Sequence, residues 1–254
     1  MMKLPTRLLA ALGFALLGAA TAGAEDPEVL WKLISTRCLP NLAQGLPPAP
    51  CAAVDLTGGT ARGYVVLKDR EGATQFLVMP TAKITGMEDP AILAPDAANY
   101  FAYAWAERGR MDLIAGRAFP RDTVSLAINS VSGRSQNQLH IHIDCIAADV
   151  RAALRLHQAA IGTRWSQFPV PLKGHRYLAM RLTGEDLSAV NPLKLIAETV
   201  PGAQADMGHH SLVVAGVMLP GGQPGFFLLD TQADPAAGNF ASGEELQDHA
   251  CNGV

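Results

Sequence analysis

Residues 138–146 read QLHIHIDCI, a run in which Leu139, Ile141, Ile143 and Cys145 alternate with Gln138, His140, His142 and Asp144. Period-two alternation suits an extended strand, whose successive side chains leave opposite faces. One face of this strand belongs to an apolar core. The other presents an amide, two imidazoles and a carboxylate in a row, about 6.5 to 7 Å between neighbours. A chain built around it needs a sheet packed on one side and open to polar chemistry on the other.

The rest of the sequence supplies partners for that strand. GYVVLKD and QFLVMPT, separated by the turn-forming REGA, predict a hairpin, and DTVSLAINS predicts a further strand just upstream of the histidines. Helical spacing marks residues 25–38, 147–162 and 191–200. It also marks 95–111, where Pro95-Asp96 reads as the cap and Tyr100, Phe101, Ala104 and Trp105 share a face. The first half thus reads β-β-α-β-β-α, and RYLAMRLT, SLVVAGVML and GFFLLDTQ echo it loosely in the second half without a sequence repeat. An α+β fold is expected, with an antiparallel sheet, flanking helices and a pseudo-duplicated second half. At 49% hydrophobic residues the chain can bury a full core.

The N-terminus has Lys3 and Arg7, an apolar run from Leu8 to Ala20, then the small residues Ala22-Gly23-Ala24. This pattern is that of an export signal, or of a membrane anchor if it is not cleaved. Two segments follow: residues 1–24 as signal or anchor and residues 25–254 as one domain, placed in the periplasm or on the periplasmic side of the inner membrane. Export makes disulfides the natural reading of the four cysteines, which allow three pairings. Cys38 and Cys51 flank a Pro-rich loop with little means of burying itself, so that pairing is favoured, leaving Cys145 with Cys251. A formal net charge of -3 and scattered Lys and Arg argue against a nucleic-acid partner.

The segment before the strand, NSVSGRSQN, gathers neutral donors (Asn129, Ser130, Ser132, Ser135, Gln136, Asn137), the cation Arg134 and the turn residue Gly133. Several donors delivered to one point suit an anion. Beside them a neutral imidazole can attack phosphorus while a neighbouring imidazole or amide holds the charged oxygens. A solvated polar face and a two-ligand metal site remain open as alternatives at this point.

GRSQNQLHIHID resembles the histidine-triad motif, and QFLVMPTAKITG resembles that superfamily's strand ending in Pro. Together NSVSGRSQNQLHIHIDC, QFLVMPT, NYFAYAW, MGHHSLVVAG and LQDHAC resemble bacterial CDP-diacylglycerol pyrophosphatases over most of the chain. The resemblance implies a histidine-triad-like fold and hydrolysis of CDP-diacylglycerol to CMP and phosphatidate through a cytidylyl-histidine. His140 would be the nucleophile and His142 the last triad histidine, with Gln138 in place of the first. Ser135, Gln136 and Gln138 are the expected substrate-binding residues, and Asn129 is expected to orient the site. No metal or other cofactor is expected. The lipid substrate implies a membrane surface as partner. Oligomeric state stays open, since a duplicated sheet could replace a second subunit.

Other functional classes compete: a general nucleotide pyrophosphatase or nucleotidyltransferase on soluble substrates, and an exported module that binds a nucleotide or metal without turnover. Gln75 stands where many triad proteins carry a histidine, which gives it a claim on the site. His209 and His210 have a weaker claim, and Lys68, Lys83 and His175 read as surface residues.

Overall fold

The computed structural model describes residues 26–252, so the expected signal or anchor at 1–24 lies outside the described residues. In chain order the elements begin with helices α1 (Val29–Leu33) and α2 (Leu39–Ala43), joined by a π-helical turn, Ile34–Cys38. Strands β1 (Ala53–Asp55), β2 (Tyr64–Lys68) and β3 (Phe76–Pro80) precede helices α3 (Tyr100–Glu107) and α4 (Gly109–Ala115). Strands β4 (Val124–Ile128) and β5 (Ile141–Ile146) lead to helix α5 (Ala148–Leu156), then β6 (Ser166–Gln167) and β7 (Leu178–Thr183). Helices α6 (Pro192–Thr199) and α7 (Ala203–Asp206) are followed by β8 (His210–Leu219), β9 (Gln223–Gln232) and β10 (Gln247–Asp248).

The strands form one antiparallel sheet in the order β1-β2-β3-β5-β4-β8-β9-β7-β6, with β10 added to β5. The expected α+β class and the β2–β3 hairpin are present. The β8–β9 turn contains Gly221 and Gly222 at φ 83° and 76°, a left-handed conformation costly for residues with a Cβ.

Alternation along the strands gives the sheet two different faces. On one, Val78, Leu126, Ile141, Ile143, Leu212 and Phe226 pack against Phe101 and Trp105 of α3 and Ile196 of α6 in a continuous core. Burying side chains of this size is worth about 1.5 to 3 kcal/mol each. The opposite face carries two separate apolar patches. Leu30 and Ile34 cover Val65, Leu77 and Met79 at one end, and Val150, Leu154, Phe168 and Tyr177 cover Val213, Phe227 and Leu229 at the other. Between those patches lies the polar side of β5.

Some boundaries differ from expectation. Helix α3 begins at Tyr100 rather than near Pro95-Asp96, because the Asn99 side chain accepts from Ala102 N at 3.1 Å and caps the helix there. Asn99 Nδ2 also donates to the carbonyls of Leu187 and Val190, fixing that start against the second half. Strand β5 begins at Ile141 rather than Gln138, since Leu139 N leaves the ladder to donate to Ile84 O at 2.6 Å. Both expected disulfides are formed, Cys38–Cys51 and Cys145–Cys251. Among the described residues no helix is long and apolar enough to cross a membrane.

Candidate active site

His142 lies within β5, opposite Leu77 of β3 and Ala127 of β4, so its imidazole stands in the uncovered strip of the sheet. His140 precedes the strand, and the two rings meet edge to face with centroids 4.8 Å apart. His140 Nδ1 is 2.6 Å from the carbonyl oxygen of Gln138. A carbonyl only accepts, so Nδ1 carries the hydrogen and Nε2 keeps the lone pair. Burial pushes the His140 pKa below the ordinary 6.5, more than the Gln138 carbonyl and Glu244 push it back. The ring is held neutral, as a nucleophile requires.

The second histidine is set by the opposite logic. Glu244, on the 3-10 turn Gly243–Leu246, accepts from Gln75 Nε2 at 3.3 Å, and as an acceptor-only carboxylate it makes Gln75 present its NH2 group. The same Nε2 is 2.8 Å from His142 Nδ1. Glu244 Oε1 lies 3.0 Å from Nδ1 without forming a hydrogen bond to it, so Nδ1 is the acceptor from Gln75 and the ring's hydrogen resides on Nε2. That Nε2 is buried and has no hydrogen-bond partner among the described residues. Burial first, and then the neighbouring His140, lower the His142 pKa well below 6.5, so this ring too is neutral.

Asn129, directly after β4, clasps the same carboxylate. Its Nδ2 donates to Glu244 Oε2 at 2.6 Å, and Glu244 N donates back to Asn129 Oδ1 at 3.3 Å. The C-terminal segment reaches this position over Gly133, where a Cβ would meet the Phe240 and Ala241 carbonyls at 2.9 Å. Ser130 Oγ donates to the Phe240 carbonyl at 2.7 Å and holds the crossing together.

These groups open into a cavity of about 480 Å³. Asn129, Ser135, Gln136, His140, His142 and Glu244 form its polar end, and Lys68, Asp69, Arg70 and Glu71 form a charged edge. Its other end is apolar, walled by Val29, Leu30 and Leu33 of α1 with Pro50, Leu67 and Leu77. Five of the six residues singled out in the sequence thus meet around one space.

Gln138 does not line that space. Its side chain is buried, and Nε2 donates to the carbonyls of Pro80 and Ala82, each at 3.0 Å. Gln136 is engaged with the N-terminal segment, accepting from Leu30 N at 3.4 Å and donating to Asp26 O at 3.2 Å. Arg134 forms an ion pair with Glu88 outside the cavity. Lys68, read as a surface residue, lies on the cavity edge with Nζ donating to the Asp69 and Gly72 carbonyls. His175, His209 and His210 pair with Glu245, Asp206 and Asp230 away from this site.

Glu244 was not legible in the sequence. It sits in an acidic, Gly-containing tail with no motif of its own, and only the fold carries it to a histidine 102 residues earlier (244 - 142). Among the described residues, Asp144, Cys145 and Cys251 bring three metal-type ligand atoms within 4.8 Å of one another. Both sulfurs of that group are already joined in the disulfide.

A protein-family model described as CDP-diacylglycerol pyrophosphatase matches residues 25–254, spanning both halves of the sheet and both disulfides.

Proposed function

Since the chain belongs to the CDP-diacylglycerol pyrophosphatase family, whose reaction is hydrolysis of CDP-diacylglycerol to CMP and phosphatidate, we propose that His140 divides this reaction into two displacements. His140 Nε2 attacks the phosphorus on the cytidine side. The anhydride P–O bond breaks, phosphatidate leaves with the electron pair, and a cytidylyl-histidine remains. Water then attacks the same phosphorus and releases CMP. His142 Nε2–H and the polar groups of Ser135 and Gln136 hold the phosphate oxygens as charge builds on them. Asn129 orients Glu244, and Gln138 acts from beneath, through its backbone carbonyl on His140.

The observation that carries this reading is the 2.6 Å contact between His140 Nδ1 and the Gln138 carbonyl, which leaves an unprotonated Nε2 on a buried, neutral ring at a cavity. The test uses CDP-diacylglycerol labelled in the phosphate next to cytidine, with an alkaline quench. Acid-labile label should appear on the wild-type protein and be absent from His140→Ala. A wild type that turns over with inverted configuration at that phosphorus would rule the covalent step out.

Two features support action at a membrane surface in the periplasm. The apolar end of the cavity is built from α1, which begins just after the expected signal or anchor, and both disulfides suit an oxidising compartment. The histidine-triad-like reading of the fold is supported by chain order. β3, α3–α4, β4 and β5 give the spatial order β3-β5-β4, and β7, α6, β8 and β9 give β7-β9-β8. On this reading the second half stands in for a partner subunit.

A further inference from the structure

A nucleotidyl-histidine can pass its nucleotide to any acceptor, so a hydrolase needs a group that favours water. We propose that Glu244 is the general base of the second displacement, an inference that rests on the covalent reading of His140. The two histidines cannot serve: His140 Nε2 is bonded to phosphorus at that stage, and His142 has its hydrogen on Nε2 and its Nδ1 engaged by Gln75. Asp144, on the same strand face, is turned to His249 and Cys145 N and does not line the cavity. Glu244 does line it. Its side chain is 27% exposed, and Asn129 and Gln75 fix both of its oxygens.

The step balances. A water oxygen forms the new bond to phosphorus, the P–Nε2 bond breaks with its pair returning to His140, and the water proton passes to Glu244 Oε1. Release of that proton to solvent resets the site. Asp69 and Glu71, on the cavity edge, are the competing carboxylates, and a hydrogen bond from Glu71 N holds Asp69 within its own turn.

Rapid-quench measurements with the labelled lipid nucleotide separate the two displacements. Glu244→Gln offers one oxygen to two donors, Asn129 Nδ2 and Gln75 Nε2, so it should slow phosphatidate release in the first turnover modestly and CMP release far more. Cytidylyl-enzyme should then accumulate, with CMP release slowed by about 100-fold or more, and hydroxylamine, which needs no base, should discharge the adduct. Glu244→Asp should retain part of the second step, and Asp69→Asn and Glu71→Gln should each leave the partition unchanged.

Equal loss of both steps in Glu244→Gln, or accumulation in Asp69→Asn or Glu71→Gln instead, overturns the assignment. The configuration at the cytidine phosphorus of wild-type product tests the underlying reading separately. Retention with no accumulation in Glu244→Gln defeats the role of Glu244 alone, whereas inversion defeats both.

Discussion

His140 Nδ1 and the carbonyl of Gln138, two residues upstream, are 2.6 Å apart, and this contact fixes which nitrogen of the imidazole can react. Because the strand ladder begins only at Ile141, the Gln138 carbonyl is free of sheet pairing and turns to the ring. A local departure from regular structure thus sets the chemistry.

Burial lowers the His140 pKa, so the neutral form persists below the ordinary 6.5. A nucleophile with a lowered pKa loses activity only when pH falls beneath that lowered value. The acid limb of a kcat/KM profile is therefore expected below pH 6.5, measured with the enzyme at substrate concentrations under KM. A limb at or above that value would contradict the buried, neutral ring.

Gln75 sets the His142 tautomer through a single nitrogen 2.8 Å from Nδ1. Gln75→Leu removes that donor, and Glu244 Oε1 at 3.0 Å then draws the hydrogen to Nδ1. Nε2 becomes an acceptor facing anionic oxygens. We expect kcat/KM to fall at least about tenfold, about 1.4 kcal/mol of transition-state stabilisation, with little change in the melting temperature.

Gln138 has the opposite profile. Gln138→Ala leaves the buried Pro80 carbonyl and the half-buried Ala82 carbonyl without this donor, which should cost about 1 to 3 kcal/mol in a denaturant titration. Its backbone carbonyl survives the substitution, so folded enzyme should keep much of its activity. A stable but inactive variant would show that the side chain itself meets the substrate.

The two disulfides should differ in consequence. Cys38–Cys51 closes 13 residues and Cys145–Cys251 closes 106. Chain entropy assigns about 3 and 4.7 kcal/mol to loops of such sizes. Cys145 lies in β5 and Cys251 follows the segment that carries Glu244, so Cys145→Ser/Cys251→Ser should reduce both stability and CMP release. Cys38→Ser/Cys51→Ser should affect stability first. Paired melts and turnover assays measure the split.

His249 donates to the buried Asp144 at 2.7 Å, and that hydrogen bond raises the imidazole pKa above 6.5, against a smaller opposing effect of burial. A raised histidine stabilises the fold fully below its unfolded pKa and loses that contribution as pH rises through the folded value. Burial dominates on the partner and raises the Asp144 pKa, with the imidazolium opposing it. Stability of the wild type should therefore fall as pH climbs above 6.5, and His249→Gln should flatten that slope in urea melts across the range.

Local periodicity and short motifs carried the alternation that buries Ile141 and Ile143, the class of the fold and five residues that meet at the cavity, and the Pro-rich loop between Cys38 and Cys51 favoured, among three pairings, the one that forms. Strand and helix ends were less legible, since Asn99 and Leu139 choose partners far along the chain, at Leu187 and Ile84. Only the tertiary structure turned Gln138 inward, brought Lys68 to the cavity edge and carried Glu244 to His142. The physical reason is the uncovered strip of the sheet. Two apolar patches stop short of each other on one face, and which polar groups converge in the gap depends on packing and chain crossing rather than on spacing in sequence.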